Sequence, residues 1–165
     1  IEFDNTEVTS TYTSYELHFR EMREQAAAAD SLILSLSANG GFDDNANYPG
    51  YMKTINSAGT EANVNMNASS GCLICPNIRT QNAVGAHGFG VVRLQNLTSS
   101  GNRPRLIDVS GTSNVLDGGF NIITQRYEGG AGRNAGLDPV DGIKLKMLNS
   151  ATLTGVATLY GLKES

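Results

Sequence analysis

Apolar and polar residues alternate along two segments near the ends of the chain. In Tyr12–Met22, the residues Tyr15, Leu17 and Phe19 alternate with charged or polar side chains. Ala151–Lys163 has the same period and groups four side chains on one face: Val156, Thr158, Tyr160 and Leu162. A strict period of two is typical of a strand with one buried and one solvated face. The pattern predicts that both segments are β-strands of a sandwich and that they pair with each other.

Seven further segments show short apolar runs or alternation and are bounded by clusters of Gly, Asn, Asp and Ser. They are Ser31–Ala38, Gly88–Leu97, Arg105–Val109, Gly119–Tyr127, Gly142–Leu148 and, more weakly, Glu61–Ala68 and Tyr51–Ile55. In the first of these, the leucines are expected to face inward, with Ser35 and Ser37 outward. The predicted fold is an all-β antiparallel β-sandwich, jelly-roll-like, with long Gly/Asn-rich loops.

One segment has helical rather than strand character. Residues 20–30 combine Glu, Arg, Gln and four alanines, which all have high helix propensity. No apolar stripe accompanies them, and the segment lies between two predicted strands. The sequence leaves open whether one or two exposed helical turns form here.

Length and composition favour one domain. The 165 residues suit a single core, and residues 1–165 are predicted to form a single β-sandwich domain. Nineteen glycines, no tryptophan and 17% charged residues indicate many turns and no long helices. Because the first residue is Ile1 and not Met, the chain is expected to be a fragment or a processed part of a longer one.

Charge and hydropathy exclude two classes of partner. The net charge is −4 and the pI is near 5.1, whereas binding to a phosphate backbone needs a basic stripe. No apolar run approaches the roughly 20 residues of a membrane helix. The sequence therefore predicts no nucleic-acid partner and no membrane span.

The two cysteines are three positions apart, in Cys72-Leu-Ile-Cys75. A metal site built on this C-x-x-C would need a second pair of ligands, and only His18 and His87 are available. If Leu73 and Ile74 are strand residues, the two thiols point to opposite faces. Two unconnected thiols are the main prediction, and a local disulfide between Cys72 and Cys75 is the alternative.

The acidic residues do not match the sequence pattern of a calcium loop or of a glycoside-cleaving carboxylate pair. The run Asp43, Asn45 and Asn47 resembles the start of a calcium loop, but Gly at its sixth position and Glu at its twelfth are missing. The carboxylate pairs Asp43/Asp44 and Asp138/Asp141 lie in turn-like sequence, and the chain has no Trp to stack on a sugar. We therefore predict no catalytic residues, no metal and no cofactor, and expect that the protein is not an enzyme.

Three motifs resemble a group of virion structural proteins of tailed phages, mainly marine phages, whose members are tail- or fibre-associated. The matching residues are Thr11, Tyr12, Tyr15, Glu16 and Phe19, then Ser37, Gly40 and Gly41, then Gly155 and Leu159–Lys163. The resemblance implies a non-enzymatic structural protein located in the virion, as a tail/fibre-associated or capsid-decorating module. Such modules assemble as symmetric oligomers, so we expect partners among other copies of the chain, a trimer being one candidate, and among other virion proteins.

A second hypothesis is a carbohydrate-binding module for receptor adhesion, with a host surface glycan as partner. It depends on aromatic residues that are expected in or beside loops: Phe42, Tyr48, Tyr51 and Tyr127. Under either hypothesis, exposed loops should carry the contacts. The loops predicted for this role are Gly40–Tyr51, Gly71–Gly88 and Gly129–Gly142.

Overall fold

The computed structural model describes residues 1–24, 30–42, 48–68, 70–78, 87–99, 105–116, 122–133, 138–149 and 152–163. These ranges contain no helix, and hence none that could cross a membrane. Their strands are β1 (Glu2–Phe3), β2 (Ser14–Glu24), β3 (Asp30–Ala38), β4 (Gly41–Phe42), β5 (Gly50–Asn56), β6 (Glu61–Asn65), β7 (Asn67–Ala68), β8 (Gly71–Ile78), β9 (Gly88–Gln95), β10 (Arg105–Leu116), β11 (Ile122–Arg133), β12 (Val140–Met147) and β13 (Leu153–Leu162).

The strands form two antiparallel sheets that pack on a shared apolar core. Sheet A has the order β1-β12-β3-β8-β7, with β4 also paired to β3, and sheet B has the order β13-β2-β9-β10-β11-β5-β6. Four of the pairings are nested in the sequence: β2 with β13, β3 with β12, β5 with β11, and β9 with β10. Nesting of this kind arises when one long antiparallel hairpin is rolled up, as in a jelly roll. The prediction of an all-β sandwich is confirmed.

The predicted pairing of the two terminal segments is also confirmed. Leu17 lies opposite Leu159 and Phe19 opposite Ala157 in the ladder between β2 and β13. The inward residues of β2 are almost fully buried: Tyr15, Leu17 and Phe19. Each such side chain contributes about 1.5–3 kcal/mol of gross burial free energy, so this strand anchors the core of sheet B.

Strand β3 is buried on both faces, which differs from its predicted alternation. The leucines at 32, 34 and 36 face the core as expected. Ser35 and Ser37, predicted to be solvated, are 0% and 3% exposed. Their hydroxyl groups donate to the Ser70 carbonyl at 2.9 Å and to Asp141 at 2.7 Å. Because both hydroxyls are hydrogen-bonded, the small polar side chains can be buried at little cost.

All three predicted loops are partly strands, so that prediction is wrong for those residues. Gly40–Tyr51 contains β4 and the start of β5. Gly71–Ile78 is β8, which pairs with the central strand β3, and β11 continues through the glycine-rich stretch to Arg133. At Gly129, a Cβ atom would lie 2.6 Å from the Cα of Met52, so glycine permits close approach of β5. Residues 43–47, 79–86 and 134–137 of the predicted loops lie outside the described residues.

The segment with helix propensity is extended at its start. Strand β2 continues to Glu24, but its register with β9 shifts between Phe19 and Met22. Glu21 there has a φ of 54°. A shift of this kind is a β-bulge, which bends the strand locally. Residues 25–29, the remainder of the candidate helical turn, are outside the described part of the chain.

Candidate functional site

Tyr48, predicted to contribute to an exposed aromatic surface, is 0% exposed. Its hydroxyl oxygen accepts the backbone N–H of Leu36 at 3.1 Å. Its own N–H donates to the side chain of Asn67 at 3.0 Å. With its polar end satisfied, the ring can pack in the core as a large apolar body. Tyr48 is therefore a structural residue, and the prediction of a surface role is wrong.

Tyr127 is likewise 0% exposed and points into the sandwich from β11. Its hydroxyl donates to the Phe89 carbonyl at 2.8 Å and also contacts the Cys75 thiol. Burial, together with the neighbouring thiol, raises the pKa of Tyr127 well above its ordinary value. This tyrosine is unavailable to a ligand, so its predicted surface role is also wrong.

The other two predicted contact residues reach the surface on different sheets. Phe42 is half-buried on β4 of sheet A, with the Lys144 ammonium 5.0 Å from its ring centroid. Tyr51 is 72% exposed on β5 of sheet B. The four predicted aromatic residues thus do not form one platform.

The cysteines are free and buried, without the alternative disulfide. Cys72 lies opposite Leu34 and Cys75 opposite Leu32, with register shifts along this ladder. Since Leu32 and Leu34 share a face of β3, their partners share it too, and the prediction of opposite faces is wrong because the bulge was not anticipated. Burial raises the pKa of each thiol to about 12.

The carboxylates of Asp138 and Asp141 hold the turn between β3 and β4. Asp141 accepts from the Ser37 hydroxyl and from the N–H of Gly40 at 2.8 Å. Asp138 accepts from the Asn39 amide at 2.9 Å. These hydrogen bonds give both aspartates a structural role in stabilising the turn. The described residues contain no group of three or more His, Cys, Asp or Glu that could hold a metal, and Asp43, Asp44, Asn45 and Asn47 lie outside them.

The outer edge of sheet B is the most distinctive surface. In the described chain, β13 pairs only with β2, so its other edge carries unpaired backbone groups. The face with four grouped side chains points to solvent: Val156, Tyr160 and Leu162 are 44%, 50% and 42% exposed. On the opposite face, Ala157 and Leu159 pack against the core. No charged residue occurs in Leu153–Leu162.

Beside this edge lies a groove in the outer face of sheet B, with a volume of about 320 Å³. We call it the outer-face groove. It is lined by residues of three neighbouring strands: His18, Phe19, Arg20, Gly90, Val156, Thr158 and Tyr160. The bulge of β2 begins at its floor, immediately after Phe19.

Charges near the outer-face groove are mostly neutralised. Glu16 is hydrogen-bonded to His18 and accepts from Arg93 at 3.2 Å, and these two bonds lower the pKa of its carboxyl. The His18 ring meets the Tyr160 ring edge-on, with centroids 5.0 Å apart. His18 was weighed above as a metal ligand, and no role was predicted for Arg20. The uncharged sequence of β13 is the signal that could have indicated a surface beside these two residues.

No protein-family model, curated protein or solved structure matches the chain.

Proposed function

We propose that the protein is a non-enzymatic structural component of a tailed-phage virion, tail- or fibre-associated or decorating the capsid, which assembles with copies of itself along β13. The observation that carries the assembly step is the uncharged, solvent-exposed edge of this strand. The virion itself is inferred from the resemblance of the terminal motifs. Proteins normally protect an edge strand with lysine, proline or a short length, and β13 has ten residues without lysine or proline.

The bulge in β13 defines the segment available for pairing. The register with β2 shifts between Thr154 and Val156, where Gly155 has a φ of 144°. From Val156 to Leu162 the ladder is continuous. This seven-residue segment would span about 24 Å at roughly 3.4 Å per residue.

A second copy of the chain is the partner that this segment fits best. In an antiparallel pair with its two-fold axis at Leu159, Val156 would lie opposite Leu162, and Thr158 opposite Tyr160. Apolar and aromatic–β-branched pairs are favourable across strands, and no like charges would meet. Such an interface is isologous and yields dimers, so a trimer would need a further contact.

Native mass spectrometry and sedimentation on two matched variants test the assembly step. Thr158→Lys places a charge on the edge strand, whereas Thr112→Lys places one on the exposed outer face of β10, in the interior of the same sheet. We expect the parent protein and Thr112→Lys to be oligomeric and Thr158→Lys to be monomeric at the same concentration. A monomeric parent protein, or equal assembly of both variants, would contradict self-assembly through β13.

Immunogold labelling of intact phage particles tests the location. Gold on tails or fibres, or spread over heads, would support a virion component and distinguish its two candidate positions. Absence of label from both intact and dissociated particles would contradict the virion proposal.

The carbohydrate-binding hypothesis based on four loop aromatic residues loses Tyr48 and Tyr127, because both are buried.

A further inference from the structure

We propose that the outer-face groove is a binding site for an acidic saccharide, with Arg20 receiving the carboxylate of a uronic acid ring and Tyr160 packing against the ring. This ligand site goes beyond the proposed function, because it concerns the face of sheet B and not its edge. It depends neither on the virion nor on the four aromatic residues considered in the sequence analysis.

The shape of the groove suits one sugar ring. Its volume of about 320 Å³ is at the lower end of the range of small-molecule sites. Phe19 and Gly90 are register partners whose backbones form the floor, since the Phe19 side chain points into the core. The register shift after Phe19 interrupts the ladder next to this floor. Bulges commonly reshape a sheet surface in this way next to binding sites.

The charges around the groove favour a ligand that carries an anionic group. Arg20 is exposed and makes no ion pair within the described chain, whereas the nearby cations Arg23 and Arg93 pair with Glu21 and Glu16. Among the described residues, this positive charge therefore has no acidic partner, and the net charge of the chain is −4. A guanidinium group binds a carboxylate with two parallel hydrogen bonds, which fixes the orientation of the ligand.

The remaining lining residues favour a sugar over a simple anion. Tyr160 is 50% exposed, and its edge-on contact with His18 restrains the ring beside the groove. The apolar face of a pyranose packs on such a ring. Thr158, directly opposite His18 in the ladder, adds a hydroxyl that can donate to or accept from a sugar hydroxyl. An aromatic ring, a hydroxyl and a cation together match a ring that bears both hydroxyls and a carboxylate.

The test uses a tetrasaccharide of galacturonic acid and, as its neutral counterpart, the fully methyl-esterified tetrasaccharide. Amide chemical shifts of the full chain are followed by NMR during titration. Arg20→Gln removes the proposed carboxylate contact, and Tyr160→Ala removes the ring. Lys163→Gln is the matched control, because it deletes an exposed charge just beyond β13 and outside the groove.

We expect the acid form to bind with shifts concentrated at residues 18–20 and 156–160, and the methyl ester to bind at least about tenfold more weakly. Arg20→Gln and Tyr160→Ala should each weaken binding by about tenfold, whereas Lys163→Gln should change it by less than about twofold. Well-dispersed spectra of the variants show that they remain folded.

Equal binding of acid and ester, shifts outside the groove, unchanged affinity in Tyr160→Ala, or no binding up to about 10 mM saccharide would overturn the proposal. Arg20→Gln alters neither the backbone nor the outer edge of β13. Native mass spectrometry of this variant therefore separates failure of the saccharide site from failure of self-assembly.

Discussion

The hydroxyl oxygen of Tyr127 lies so close to Gly111 that a Cβ atom at residue 111 would be 2.5 Å from it. Gly90, on the neighbouring strand β9, approaches the same oxygen, and a Cβ atom there would be 2.7 Å away. The two glycines form a notch in sheet B that receives the buried end of the ring. Glycine is unfavourable inside a strand, and here it is required by close packing.

Replacing Tyr127 by Phe should lower the free energy of unfolding by about 1–3 kcal/mol, because the Phe89 carbonyl loses its buried donor. Urea denaturation followed by circular dichroism measures the change. Tyr51→Phe is the control. Because Tyr51 is 72% exposed, removing its hydroxyl should change the free energy of unfolding by less than about 0.5 kcal/mol. Equal effects in the two variants would contradict the structural role of the Tyr127 hydroxyl.

Replacing Gly111 by Ala should destabilise the protein by about 2–3 kcal/mol or prevent folding, since the new methyl group would overlap both the Phe89 carbonyl and the Tyr127 ring. Gly132→Ala provides a control in the same pair of strands. Its nearest neighbour would be the Arg105 carbonyl oxygen at 3.9 Å, an ordinary contact, so stability should change by less than about 1 kcal/mol. Thermal unfolding of both variants measures the difference, and similar midpoints would refute the notch.

His87 should titrate below its ordinary value and make the protein less stable in mild acid. Burial and the neighbouring Arg23 charge lower its pKa from 6.5, while Glu21 acts in the opposite sense. Arg23 also donates to its Nδ1 at 2.7 Å, a bond that requires the neutral ring. The unfolded chain therefore binds a proton at His87 more readily than the folded protein does. The neutral His87 ring stabilises the fold fully above pH 6.5, and this stabilisation is lost as the pH falls through the folded-state pKa.

An NMR titration of the His87 ring measures this pKa directly. In Arg23→Gln the pKa should move upward, and in His87→Asn the unfolding free energy should depend less on pH below 6.5. A ring that titrates at or above 6.5 in the parent protein would contradict the arrangement.

Neither cysteine of the folded protein should react with maleimide near neutral pH. Both are buried, and a pKa of about 12 leaves almost no thiolate. Mass spectrometry should detect unmodified protein in buffer and two adducts after unfolding in guanidinium. Fast labelling of either thiol in buffer would show that strand β8 is not packed as described.

The sequence was most informative where one face of a strand is buried and the other is not. Period two at Tyr15, Leu17 and Phe19 identified β2 and its inward face correctly. It failed for β8, because Cys72–Cys75 is an uninterrupted apolar run with a bulge, and burial on both faces removes the alternation. In β11, Gly129 and Gly130 read as a loop, although Gly129 permits close approach of β5 and a Cβ atom on Gly130 would lie 3.0 Å from the Asp108 carboxylate of β10.

Surface chemistry was harder to predict than the strands. Tyr48 and Tyr127 were expected in or beside loops and at the surface, because a sequence does not show whether a hydroxyl will find a buried partner. In both cases the partner is a backbone group distant in sequence, Leu36 for Tyr48 and Phe89 for Tyr127. The outer-face groove also needs β9 beside β2, and the local patterns that indicated the pairing of β2 with β13 did not predict this neighbour.

The ladder between β2 and β13 also sets the order of events during synthesis. A ribosome makes β2 early and β13 after every other described strand, so the nascent sheet exposes β2 as its edge until β13 emerges. Contacts between segments so distant in sequence also form slowly. The exposed edge of β13, which we propose pairs with a second copy, therefore forms only after the other described strands have been translated.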